Sequence, residues 1–74
     1  MQLDTEITEK GIICSHKAMG QIATIKRTSA GWFVFPYTFP PSARSATFIS
    51  LRAAEYYAVA LAYEMQEVQT RHDL

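Results

Sequence analysis

Thiol and imidazole side chains stand close together once in this sequence, at Cys14-Ser15-His16. If that stretch is a strand, the two groups share a face. A thiolate nucleophile needs a base held by an orienting acid, and a metal needs three or four ligands. Only His72 and Asp73, at the far end of the chain, remain to complete either set. The plainer expectation is a half-buried cysteine beside a surface histidine. Gly11, Gly20 and Gly31 are isolated, so no glycine-rich phosphate loop is present. Asp4 and Glu6 alternate with Leu3, Thr5 and Ile7, which places both acids on the solvent side of a strand instead of in a shared cleft. No cofactor or metal is expected, and no catalysis.

Recognition chemistry is better represented. Arg44, Ser45, Thr47, Ser50 and Arg52 fall just before and within the first turn of a helix. Arg52 opposes the helix dipole there, and the free backbone N–H groups nearby would suit a phosphate or carboxylate. Lys26, Arg27 and Trp32 flank a turn at Thr28-Ser29-Ala30-Gly31. Basic and aromatic side chains on a sheet bind nucleic acid. However, Lys26 and Arg27 are adjacent and must point to opposite faces.

The elements that carry these residues follow from periodicity. Ser50 to Val68 is helical, with Leu51, Ala54, Tyr57, Ala58, Leu61, Met65 and Val68 on one face and Ser50 as its cap. Tyr56, Val59 and Tyr63 fall on the other side among Arg52, Glu55, Gln66 and Glu67. At its end, Glu67 and Arg71 are spaced to pair. Leu3 to Thr8, Ile12 to Cys14, Gln21 to Arg27 and Trp32 to Phe35 read as strands, and Thr47-Phe48-Ile49 as a short addition. Pro36 ends the fourth strand or puts it on an edge. Phe39-Pro40-Pro41 predicts an extended segment in the long loop between Tyr37 and Thr47. The expectation is one α+β domain over residues 1–74. It is an antiparallel three- to four-stranded meander packed on a C-terminal helix.

Composition supports that size of fold. The chain has 74 residues, 49% hydrophobic and 19% charged, so it is globular and near the lower limit for a self-sufficient core. A single cysteine suits a reducing cytosol. The acidic start lacks an apolar signal region, and no apolar run approaches a membrane span; a cytoplasmic protein is expected. The net charge of zero hides segregation. Asp4, Glu6 and Glu9 come first. A wholly basic middle follows, with Lys10, Lys17, Lys26, Arg27, Arg44 and Arg52. The end is mainly acidic, with Glu55, Glu64, Glu67 and Asp73 against Arg71.

In the fourth strand, Trp32 and Val34 point one way while Phe33, Phe35 and Tyr37 point the other. One helix covers one face of a sheet, so the second apolar face needs a loop, a second copy or a partner. Phe33, Phe35, Tyr37, Tyr56, Val59 and Tyr63, with Arg44 and Arg52, are therefore the expected partner contacts. Lys26, Arg27, Arg44 and Arg52 are the candidates if the partner is nucleic acid.

Two resemblances accompany this reading. Gly31-Trp32-Phe33-Val34-Phe35-Pro36, Phe48-Ile49-Ser50-Leu51-Arg52-Ala53-Ala54 and the alanine-rich helix resemble the HicB-type antitoxin pattern, in which a glycine-aromatic strand ends in Phe-Pro. A compact, charge-segregated sheet with one helix is also similar in type to phage-encoded inhibitors such as anti-CRISPR proteins. That resemblance implies a protein that blocks a larger nucleoprotein complex by occupying a surface. The partner expected for the surplus aromatic surface is a larger protein or ribonucleoprotein complex, or a second copy in a homodimer.

Overall fold

Two tight hairpins built on one sequence device set the register of the sheet. In Thr8-Glu9-Lys10-Gly11, the Thr8 hydroxyl donates to the Gly11 carbonyl at 2.9 Å and accepts the Lys10 N–H at 3.2 Å. In Thr28-Ser29-Ala30-Gly31, the Thr28 hydroxyl donates to the Gly31 carbonyl at 3.0 Å and accepts the Ala30 N–H at 3.2 Å. Both glycines have positive φ, 123° at Gly11 and 136° at Gly31. Side-chain oxygens thus satisfy backbone groups that a tight turn leaves unpaired.

The protein is described by a computed structural model covering residues 2–37 and 44–72, with residues 69–72 by backbone alone. Five antiparallel strands lie in sequence order: β1 (Asp4–Thr8), β2 (Gly11–His16), β3 (Gly20–Thr28), β4 (Gly31–Pro36) and β5 (Ala46–Phe48). Helix α1 (Leu51–His72) follows. The architecture is the expected α+β meander on one C-terminal helix, with the short fifth strand joining the sheet one residue earlier than the sequence suggested. Pro36 closes β4 opposite Ala23. The strand is not an edge, but β5 pairs only with Trp32 to Val34, so no ladder bond is asked of the proline. The Phe39-Pro40-Pro41 segment and the Glu67–Arg71 pair lie outside the described residues and side chains.

Ser50 caps the helix as its type predicts, accepting the Ala53 N–H on its hydroxyl at 3.2 Å. Ala54, Ala58, Leu61 and Ala62 are buried against Ile25 and Val34 of the two central strands, with Ile22, Ala23 and Cys14 completing the core. Ile22 is the extra residue of a β-bulge, where β3 advances by two positions while β2 advances by one. Leu51, Tyr57 and Met65 pack at the core margin, on the face the periodicity assigned to them.

The helix packs on β3, β4 and β5. Five strands span roughly 19 Å between their outer axes, whereas a helix with its side chains is only about 10 Å across. The outer part of β1 is therefore left uncovered. Ile7, expected on a half-buried face with Leu3 and Thr5, is 86% exposed. It pairs with Ile12, and Ile12 with Ile25, so it points to the helix side but beyond the helix's reach. Alternation gave the correct side of the strand; the width of one helix decided the burial.

Candidate binding surfaces

Register assembles the first surface on the face of the sheet turned away from the helix. Lys26 pairs with Phe33 and Thr24 with Phe35. Tyr37 follows two residues later, its N–H bonded to the Ile22 carbonyl at 2.9 Å. Thr24 is buried, and its hydroxyl donates to the Tyr37 phenol oxygen at 2.7 Å. The Phe35 and Tyr37 rings meet edge to face, centroids 6.1 Å apart and planes at 81°. Tyr37 is thus held by its backbone, its hydroxyl and its ring. Phe35 nevertheless remains 49% exposed and Tyr37 41%.

These rings line a concavity of about 220 Å³ with Phe33, Thr24, Lys10 and Lys26. Gly11 brings the two lysines together. A Cβ there would stand 3.0 Å from Lys26 Cγ and 2.5 Å from the Ile25 carbonyl oxygen. Its absence leaves room for the Lys26 stem against Gly11, and Lys10 and Lys26 line the same concavity. Sequence reasoning had named Phe33, Phe35, Tyr37 and Lys26 but not Lys10 or Thr24. Counting back from the Thr28–Gly31 turn in steps of two gives the Lys26–Phe33 and Thr24–Phe35 pairs, so the signal for Thr24 was present.

The second surface is the outer side of α1. Tyr56 is 66% exposed and Tyr63 48%, one above the other at seven residues' separation. Val59 lies between them but is half-buried. It lines a concavity of about 230 Å³ with Arg52, Glu55 and Tyr56. It also borders a second of about 290 Å³, whose walls include Leu3, Thr5, Cys14 and Glu55. Val59 therefore turns toward the sparsely covered β1–β2 side.

The remaining candidates are dispersed. Arg27 crosses the face opposite Lys26 and lies over Trp32, its guanidinium carbon 5.6 Å from the ring centroid, so it shares no surface with Lys26. Arg44 is fixed by its backbone: its N–H donates to the Tyr57 hydroxyl at 3.1 Å, and that hydroxyl donates to the Arg44 carbonyl at 2.5 Å. The anion cluster before the helix is not assembled as one group. Thr47 pairs with Phe33 on the far side of the sheet, the Ser50 hydroxyl is engaged in capping, and Arg52 lies along the helix beside Glu55 and Tyr56.

Cys14 and His16 do not form a reactive pair. The Cys14 side chain is buried in the core, and burial, followed by the nearby Glu55 charge, pushes its thiol up. The thiol is protonated at neutral pH and is a poor nucleophile. His16 Nδ1 accepts the Ala18 N–H at 3.1 Å and serves the following turn. No helix among the described residues is long and apolar enough to cross a membrane.

Comparison of the chain with protein-family models, curated proteins and solved structures finds no match.

Proposed function

We propose that this chain is a small non-catalytic binding protein that modulates a larger protein or ribonucleoprotein complex by occupying part of its surface, as anti-CRISPR proteins do. The observation that carries this reading is the half-covered sheet. One helix packs over β3–β5, while Phe33, Phe35 and Tyr37 line the opposite face with two of the three rings substantially exposed. Monomers seldom leave contiguous apolar surface uncovered without a use, and aromatic side chains are the usual anchors of interfaces. Tyr56 and Tyr63 offer a second contact on the outer side of the helix. Their removal leaves the core intact, so binding and folding can be separated.

Capture from lysate by immobilised wild type, Phe35→Ala/Tyr37→Ala and Tyr56→Ala/Tyr63→Ala proteins tests this. Each double variant is expected to lose a distinct subset of the macromolecules that wild type retains. Identical captured sets for all three proteins, with unchanged circular dichroism, would overturn the proposal.

A further inference from the structure

Resting on that reading, we infer that the partner of the open sheet face is single-stranded RNA. Phe33, Phe35 and Tyr37 occupy successive same-side positions, about 7 Å apart along β4 and its continuation. Phe35 and Tyr37 stand edge to face, so each braces the other while the exposed part of the pair, 49% and 41% of the two residues, stays open to a base. Stacking tolerates any base, and phosphate contacts to lysine hold the strand in place. Lys26 stands directly across from Phe33, and Lys10 reaches the same concavity. Two cations beside the rings suit a phosphate backbone.

Asp4 and Glu6 also point to this face, but from the outermost strand. Glu6 is separated from Phe35 by Ile13 and Thr24, three strand spacings or roughly 14 Å. That exceeds the screening length of about 8 Å at physiological salt. Lys26, at about 5 Å from its cross-strand neighbour, dominates the potential over the rings. An acidic peptide would satisfy the lysines but would leave the exposed aromatic surface beside them largely unused. Ribose is favoured over deoxyribose by Tyr37. Its exposed phenol, bonded to the Thr24 hydroxyl at 2.7 Å, is placed to share a hydrogen bond with a 2′-hydroxyl, which deoxyribose lacks.

Fluorescence anisotropy with a labelled uridine 12-mer tests the inference, alongside the thymidine 12-mer, a 12-bp RNA duplex and a glutamate-rich peptide. Wild type is expected to bind the uridine strand most tightly, with a salt slope of about −1.4 for two phosphate contacts. Phe35→Ala should weaken binding roughly five- to a hundredfold, and Lys26→Gln should reduce the slope by about 0.7. Equal affinity for the thymidine strand, the duplex or the peptide would overturn the assignment, as would an unchanged affinity in a folded Phe35→Ala protein. If no oligonucleotide binds while Phe35→Ala/Tyr37→Ala still loses captured macromolecules, the inference fails and the proposed function stands.

Discussion

At the scale of single residues, the two hairpin glycines decide more than their size suggests. Gly31 has a φ of 136°, and a Cβ added there would sit 2.4 Å from the Phe48 carbonyl oxygen of the neighbouring strand. Both the backbone conformation and the space exclude a side chain. Gly31→Ala is expected to cost about 2–3 kcal/mol in urea unfolding. Gly20→Asn should cost less than about 1 kcal/mol, because φ there is 79° with open space around the new side chain. Cys14 supplies a pH dependence. Its thiol pKa is raised in the folded state by burial and then by Glu55, so the fold holds the proton more tightly than the unfolded chain does. That contribution is complete below the unfolded thiol's pKa, near 8.5, and is lost as pH climbs toward the higher folded value. Urea midpoints measured at pH 7 and pH 10 should fall less in Cys14→Ala than in wild type. The glycines at 11 and 31 were legible as turn residues. The threonine bonds that brace each turn were not, because Thr8 and Thr28 read equally well as strand residues.

Among the elements, the helix was the most legible: Ser50 caps it and Leu51, Ala54, Tyr57, Ala58, Leu61 and Met65 of the expected stripe meet the core, although Val68 is not among the residues packed there and the helix runs on to His72. Ala62, fully buried, was not in the expected stripe, although it lies one helical turn beyond Ala58. Ala54, Ala58 and Ala62 let the helix approach the sheet closely. Ala58→Leu should force the two layers apart and cost about 1–3 kcal/mol, whereas Tyr56→Ala on the outer side should change stability by no more than about 0.5 kcal/mol. Thermal melts of the two variants check this contrast. The order of the strands was legible from turn residues. The fate of Ile7 was not, because strand alternation reports which side a residue takes and not whether anything lies above it.

On the scale of the whole molecule, the charge blocks and surplus aromatics were legible in the sequence, but pairing alone determined which residues lie together. Lys26 and Arg27, neighbours in sequence, end on opposite faces, one among Phe33 and Phe35 and the other over Trp32. Phe33 and Lys10, far apart in sequence, line one concavity. The two exposed aromatic surfaces lie on opposite sides of a two-layer fold, so one flat contact cannot engage both. Cys14 adds a practical consequence. The sole sulfhydryl is almost fully buried, yet it forms part of the wall of the concavity shared with Leu3, Thr5, Glu55 and Val59, so a thiol reagent approaches it through that opening on the β1–β2 side. Its labelling rate is a built-in gauge of that opening, and a guest seated there would slow the reaction without any added dye or tag.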